Sequence, residues 1–375
     1  MKPRKTPEPG RPWPSLGKTA GIRILLLLGF ALCLPSPAGA ADLPPDRVIT
    51  IAAVGDIMMG SDFCGKANLP PNDGQELFQP VKEILSKADI SFGNLEGPLC
   101  DGGETCKDTD SSNVYVFRSP SRFAANLKEA GLKVVSLANN HALDFGQAGR
   151  AATKQALDQV GVKHAGQDGE VAEFEVEGVK IALIALAFGP GPRSINQPRA
   201  ALAEIEALAK KYQILLVSIH AGAEGRGAQH VCNETEYFLG EDRGNSVKFA
   251  REAIDRGAHL ILCHGPHVPR AVEIYQGRLI AYSLGNFCTY KGMNLTGPSG
   301  LAPILWAELN AKGEFLRGKI HSCLQERPGG PQPDEQAQAY KRIKALSLED
   351  FPESCPLFTG AGAILPMASQ EKIAP

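Results

Sequence analysis

Apolar and polar positions along this chain follow two alternating regimes. In the first, short apolar or β-branched runs stand between turn residues: 47–54, 88–92, 132–137, 214–219 and 259–263. Runs of that length predict buried strands. In the second, apolar residues recur at helical spacing. In Glu76–Lys87, for example, Leu77, Val81, Ile84 and Leu85 share one face. The same spacing predicts helices over Ser121–Ala130, Gly146–Val160, Arg199–Tyr212, Asn245–Arg256 and Gln336–Leu346. Three hairpins are expected, turning on Glu177-Gly178, Gln276-Gly277 and Lys312-Gly313, and the first feeds a strand that runs through Ala187. Polar or Pro/Gly-rich loops fill 100–113, 189–198 and 229–243, and a Pro/Gly linker is expected over 327–333. Strands alternating with helices make this an α/β chain.

The first 40 residues break the pattern. Lys2, Arg4, Lys5, Arg11, Lys18 and Arg23 oppose only Glu8, and the apolar run Ile24–Leu34 leads to Ala38-Gly39-Ala40. This is a secretory signal pattern with cleavage expected after Ala40. The alternative is an uncleaved anchor, although the run is short for a membrane span. The expected organisation is a signal over 1–40, one domain over 41–330, and a terminal helix and tail over 331–375. The protein would be periplasmic or extracellular, or anchored through its N-terminus.

A hydrophobic share of 43% in 375 residues supplies a sizeable core. The net charge of −2 becomes more negative once the basic leader is removed, which argues against a nucleic-acid partner. Nine cysteines, with Cys33 in the leader, agree with an oxidising compartment. Cys100 and Cys106 flank a short loop and form the best local disulfide candidate. No CxxC pair supports a zinc ribbon. Cys263 is expected as a buried thiol.

The chemistry gathers where the predicted strands end. Asp56 follows Gly55 at the first strand's tip, where it would cap a helix or ligate a cation. Glu96 precedes Gly97-Pro98, either as a solvated loop residue or as a partnered buried carboxylate. The turn Asn139-Asn140-His141 offers an amide oxygen and an imidazole, and Asp144 is placed to orient His141. His220 ends one strand and His264-Gly265-Pro266-His267 ends another. Each alone has a plainer reading as a turn or loop residue. Together, mixed carboxylate, amide and imidazole donors suit one or two divalent ions of manganese, iron or zinc. Arg118 and Arg270 would hold substrate carboxylates bidentately, or pair with local acids at the surface.

Several motifs occur in a family order: Gly55-Asp56, Asn94-Leu95-Glu96, Asn139-Asn140-His141 with Asp144 and Gly146, His220-x-Gly-x-Glu224, Gly265-Pro266-His267-Val268 and Ser283-Leu284-Gly285-Asn286-Phe287. Over about residues 48–290 the chain resembles the CapA-type poly-gamma-glutamate capsule biosynthesis proteins, a branch of the calcineurin-like metallophosphoesterases. The resemblance implies a four-layer α/β/β/α sandwich with metal at the sheet edge. It places Asp56, Glu96, Asn140, His220, His264 and His267 as metal ligands, and makes His141, with Asp144, the general acid for the leaving oxygen or a stabiliser of the phosphoryl charge. Asn94, Glu224 and Asn286 join Arg118 and Arg270 as substrate-binding candidates. The implied activity is that of a metal-dependent hydrolase or transferase on a polyanionic polymer or a phosphorylated small substrate, with capsule-assembly membrane proteins as partners. The alternative is a non-catalytic envelope protein that binds or guides the polymer. Two features depart from the pattern. Met58 stands where the phosphoesterases carry a His, and Gly265 separates His264 from Pro266 where the branch reads His-Pro-His.

Overall fold

A computed structural model describes residues 47–63, 68–109, 114–167 and 169–366. The expected leader and Cys64 lie outside these residues. Among the described residues, no helix is long and apolar enough to cross a membrane.

Two sheets form the centre. In the larger, the first strand Val48–Met58 is flanked by the parallel strand Ile90–Leu95 and the antiparallel strand Ile304–Asn310. Val134–Ser136 and Lys163–Ala165 extend one side, and Phe315–His321 extends the other. Asn286–Thr289 pairs in parallel with Asp56–Met58, where Ile304–Asn310 has ended. The smaller sheet runs in the order 272–275, 278–281, 260–264, 214–220, 179–187, 172–176.

Strand alternation assigns each face its neighbour. Ile49, Ile51 and Ala53 share one core with Ile181, Leu183, Ala185, Leu216 and Leu262, so the two sheets pack face to face. The opposite faces carry the helices. Ala52 and Val54 pack with Leu85, Leu127 and Leu157. Ala182, Ile184 and Leu186 pack with Leu202, Ile205 and Phe249. The result is the expected α/β/β/α sandwich. Each fully buried Ile or Leu contributes ~1.5–3 kcal/mol of burial free energy.

The departures have local causes. The expected helix over Glu76–Lys87 narrows to Lys82–Lys87, because Pro80 lacks an N–H and disfavours helical geometry at Gln79. Part of the expected linker over 327–333 is instead a strand, Pro331–Pro333, paired with Cys323–Gln325. Residues beyond Ser354 add edge strands Leu357–Phe358 and Ala363–Leu365 to the larger sheet. Helix Gln338–Asp350 inserts Ile343 into the inter-sheet core and Leu346 into the outer core of the smaller sheet. Cys100 is a buried free thiol and Cys106 an exposed one, so the local disulfide does not form, and none exists among the described residues. Cys263 is buried as expected, and burial pushes its thiol up to about 12.

Candidate metal centre

Parallel strands deliver the polar residues to one rim. The strands ending at Leu95, Ser136, His220 and His264 run parallel to their neighbours within each sheet. Their carboxyl ends therefore face one way, the usual position for α/β chemistry. Asp56 lies inside the first strand rather than after a turn. Its N–H donates to Gly285 O at 2.9 Å. A Cβ on Gly55 would lie 1.9 Å from that same carbonyl oxygen, so Gly55 serves close backbone approach rather than a turn.

At the centre, donor atoms of Asp56, Glu96 and His220 all lie within 4.8 Å of one another, and all three residues are buried. His264 Nδ1 is 3.6 Å from Asp56 Oδ1, and His267 Nδ1 is 3.0 Å from Asp56 Oδ2. His267 Nε2 reaches within 3.6 Å of Glu96 Oε1. His267 takes a left-handed backbone, φ 57°, which is uncommon for a residue with a Cβ. The extra Gly265 thus does not remove an imidazole from the site. It lets both histidines face Asp56.

Buried polar atoms normally find partners. Here both Glu96 oxygens, His220 Nε2, both His264 ring nitrogens and Asn140 Oδ1 are buried without a hydrogen bond. Burial raises the Glu96 carboxyl well above its usual range; His267 opposes that, while Asp56 and Glu224 add to it. Burial would also raise Asp56, but His264 at 3.6 Å and the hydrogen-bonded His267 at 3.0 Å hold it well below the carboxylate range. Burial pushes His220 well below the usual imidazole value. Burial also opposes charge on His267, yet Glu96, Asp56 and Glu224 outweigh it and push this ring up to about 10. A divalent cation would satisfy the orphaned oxygens and nitrogens together, and the mixed donor set suits manganese, iron or zinc. The residues present therefore fit a metal.

Around this cage a second set of contacts fixes geometry. Asn94 Nδ2 donates to Asp56 Oδ1 at 2.8 Å and lies 3.3 Å from His220 Nδ1. Asn139 Nδ2 donates to Asn94 Oδ1 and Leu95 O. Asn94 is fully buried, holds Asp56 and does not line the cleft, contrary to expectation. His141 stacks on Phe117, with ring centroids 4.1 Å apart. Its Nδ1 is 2.8 Å from Asp144 Oδ2, and its Nε2 is 4.0 Å from Glu96 Oε1. Burial lowers the His141 value against the pull of Asp144.

A cleft of about 620 Å³ opens above the cage, lined in part by Asn140, His141, Glu224, His267 and Asn286. Arg118 and Arg270 do not line it. Arg118 pairs with Asp62 at 2.6 Å and lies over Phe63 and Phe145. Arg270 is fully buried and binds both Glu236 oxygens at 2.8 and 2.7 Å. The Arg270 guanidinium is fully committed, and Arg118 is turned onto Asp62 outside the cleft lining. Met58 is buried, and a Cβ on Gly292 would lie 1.5 Å from its Cε. A thioether thus packs where the phosphoesterase pattern has an imidazole. Sequence reasoning missed Lys107, whose Nζ is 2.6 Å from Asp144 Oδ1 and 3.1 Å from His141 Nδ1. A lysine in an acidic loop carries no spacing signal toward a motif 34 residues on.

Residues 50–291 match the model of the family described as bacterial capsule synthesis protein PGA_cap. The chain is 30% identical over 303 residues to the PGA biosynthesis protein CapA of Bacillus subtilis strain 168, covering 75% of this chain and 74% of that protein. It is 28% identical to the capsule biosynthesis protein CapA of Bacillus anthracis, covering 79% and 72%. Among solved structures, a putative 5'-nucleotidase from Staphylococcus aureus aligns over 80% of this chain and 58% of that one. Its 14% identity and TM-score of 0.42 are too low to carry functional weight.

Proposed function

The chain belongs to the bacterial capsule synthesis protein PGA_cap family, and from that premise we propose that it is an exported, metal-dependent hydrolase or transferase of capsule or exopolymer synthesis. It acts on a phosphoester or amide bond of a polyanionic or phosphorylated substrate and works beside capsule-assembly membrane proteins. One observation carries the metal reading: buried donors on Asp56, Glu96 and His220 converge, with His264 3.6 Å from Asp56, and several of these residues' atoms have no hydrogen bond. Asp56, Glu96, Asn140, His220, His264 and His267 would hold the ion, which supplies Lewis-acid polarisation of a phosphoryl or carbonyl oxygen.

The chain's own groups do the rest. Asp144 accepts from His141 Nδ1–H and fixes the ring, leaving Nε2 as the atom that takes up or returns a proton. Phe117 stacks on the imidazole and excludes water from one face. Glu224 and Asn286 line the cleft where substrate enters. The test is turnover of a phosphodiester and of a γ-glutamyl oligomer by manganese-loaded protein. His141→Ala should abolish turnover and retain metal.

Met58 favours a second reading. It removes one imidazole of the phosphoesterase pattern and leaves a buried thioether in its place. On that reading the same cleft binds or guides a capsule polymer without cutting it. Wild-type protein that binds metal and polymer but turns over neither substrate supports this reading.

A further inference from the structure

The cleft above the centre is lined by two chemistries. Asn140, His141 and His267 supply polar groups near the cage, while Tyr115, Phe238, Leu239 and Met293 supply apolar area. The two Lys and Arg side chains among the described lining residues are both committed. Lys107 pairs with Asp144 at 2.6 Å, and Arg243 pairs with Glu224 at 2.7 Å and Glu241 at 2.9 Å. Arg243 also lies over the rings of Phe188 and Phe238, 4.3 and 5.2 Å from their centroids. The wall therefore presents no unpaired guanidinium or ammonium to a long polyanion.

Exposed apolar groups concentrate at the same place. Of the lining residues, Tyr115 is 63% exposed and Leu239 68%. Phe238 and Leu239 belong to a short hairpin, Tyr237–Phe238 paired with Glu241–Asp242. Its base is held by the buried Arg270–Glu236 pair, and Leu239 at its tip has a left-handed backbone, φ 49°. A rigid base thus presents a leucine to solvent in a conformation leucine disfavours. Folding alone gains nothing from that arrangement, whereas a ligand that covers the leucine does.

Resting on the metal-centre reading above, we infer that the cleft takes a phosphate ester carrying an apolar group. The anion sits at the Asp56–Glu96–His220 centre, and the apolar group lies against Tyr115, Phe238 and Leu239. An aryl ester and a lipid-linked phosphate share this chemistry. The inference narrows the polyanionic substrate to an end that bears an apolar carrier, and it excludes a polymer laid lengthwise along the cleft.

The test is calorimetric titration of the full chain, loaded with manganese, against methyl-, phenyl- and octylphosphonate. Phenyl- or octylphosphonate should bind roughly tenfold more tightly than methylphosphonate. Leu239→Asn and Tyr115→Ser should each reduce that preference to about threefold or less and leave methylphosphonate unchanged. Asn accepts the left-handed backbone, so Leu239→Asn keeps the hairpin folded. A phenyl preference identifies an aryl ester and an octyl preference a lipid-linked phosphate. Equal affinity for all three, or a preference that survives both substitutions, overturns the inference. Manganese uptake with no phosphonate binding overturns it and leaves the metal centre standing. Failure to take up manganese, iron or zinc overturns both.

Discussion

The Lys107 ammonium lies 2.6 Å from Asp144 Oδ1, on the carboxylate whose other oxygen holds His141. Asp144 is fully buried and also accepts from Phe117 N–H at 2.8 Å. Lys107, from a loop remote in sequence, therefore neutralises the group that orients the candidate proton-transfer residue. Lys107→Met should lower stability by roughly 1–3 kcal/mol, because a buried carboxylate loses its cation. Urea unfolding measures this. A change within about 0.5 kcal/mol would show that the pair is ornamental.

Glu96 carries the strongest conflict between stability and function. Its two oxygens are buried without donors, close to Asp56 and Glu224. Glu96→Gln removes an acid whose ionised form burial disfavours, so the metal-free variant should unfold about 1–2 kcal/mol later than metal-free wild type. The same variant should bind manganese at least ~10-fold more weakly. Chelator-treated and manganese-loaded thermal unfolding separates the two effects. A variant that loses stability and retains metal affinity would place Glu96 outside the cage.

Arg270 anchors the hairpin base and does not face the cleft. Its guanidinium spans both oxygens of Glu236 and reaches Ala228 O and Ala223 O. Arg270→Ala should cost about 3–5 kcal/mol, since it leaves Glu236 without its cation and the hairpin without its anchor. A substrate-binding arginine would instead raise KM with little change in denaturant midpoint. Steady-state kinetics beside urea unfolding distinguishes these outcomes.

Away from the centre, His259 makes stability depend on pH. Its Nδ1 accepts from Leu215 N–H at 3.0 Å. Burial, with Arg278 adding to it, pushes the ring from 6.5 down to about 4. The unfolded chain therefore binds the proton first. The stabilisation is complete above pH ~6.5 and is lost as pH falls toward ~4. Partial exposure discounts the contribution to roughly 1–2 kcal/mol. Wild type should lose more stability than His259→Asn over that window. Parallel pH–stability curves for the two proteins would contradict the assignment.

The strands were legible because their apolar runs face a core on both sides: Ile181 and Leu183 meet the other sheet, while Ala182 and Ile184 meet helices. The motif residues Glu96, His220 and His264 were legible as strand-end polar groups, and Asp56 as a carboxylate inside an apolar strand, which core packing does not explain. Arg118 and Arg270 were not, since nothing local distinguishes a guanidinium facing a cleft from one folded onto Asp62 or Glu236. Asn94 was misassigned for a related reason: its motif position is informative, but its complete burial is a tertiary fact. The over-long first helix reflects apolar spacing read through Pro80, and backbone chemistry overrode it.

The central claim is that Asp56, Glu96 and His220 form one cation site. Elemental analysis of the purified full chain, after equilibration with manganese and gel filtration, tests it most directly. The account requires about one or two ions per chain in wild type, and less than about a tenth of that in Asp56→Asn/His220→Ala. Wild type that emerges without bound manganese, iron or zinc, or a double variant that retains the full complement, would contradict it.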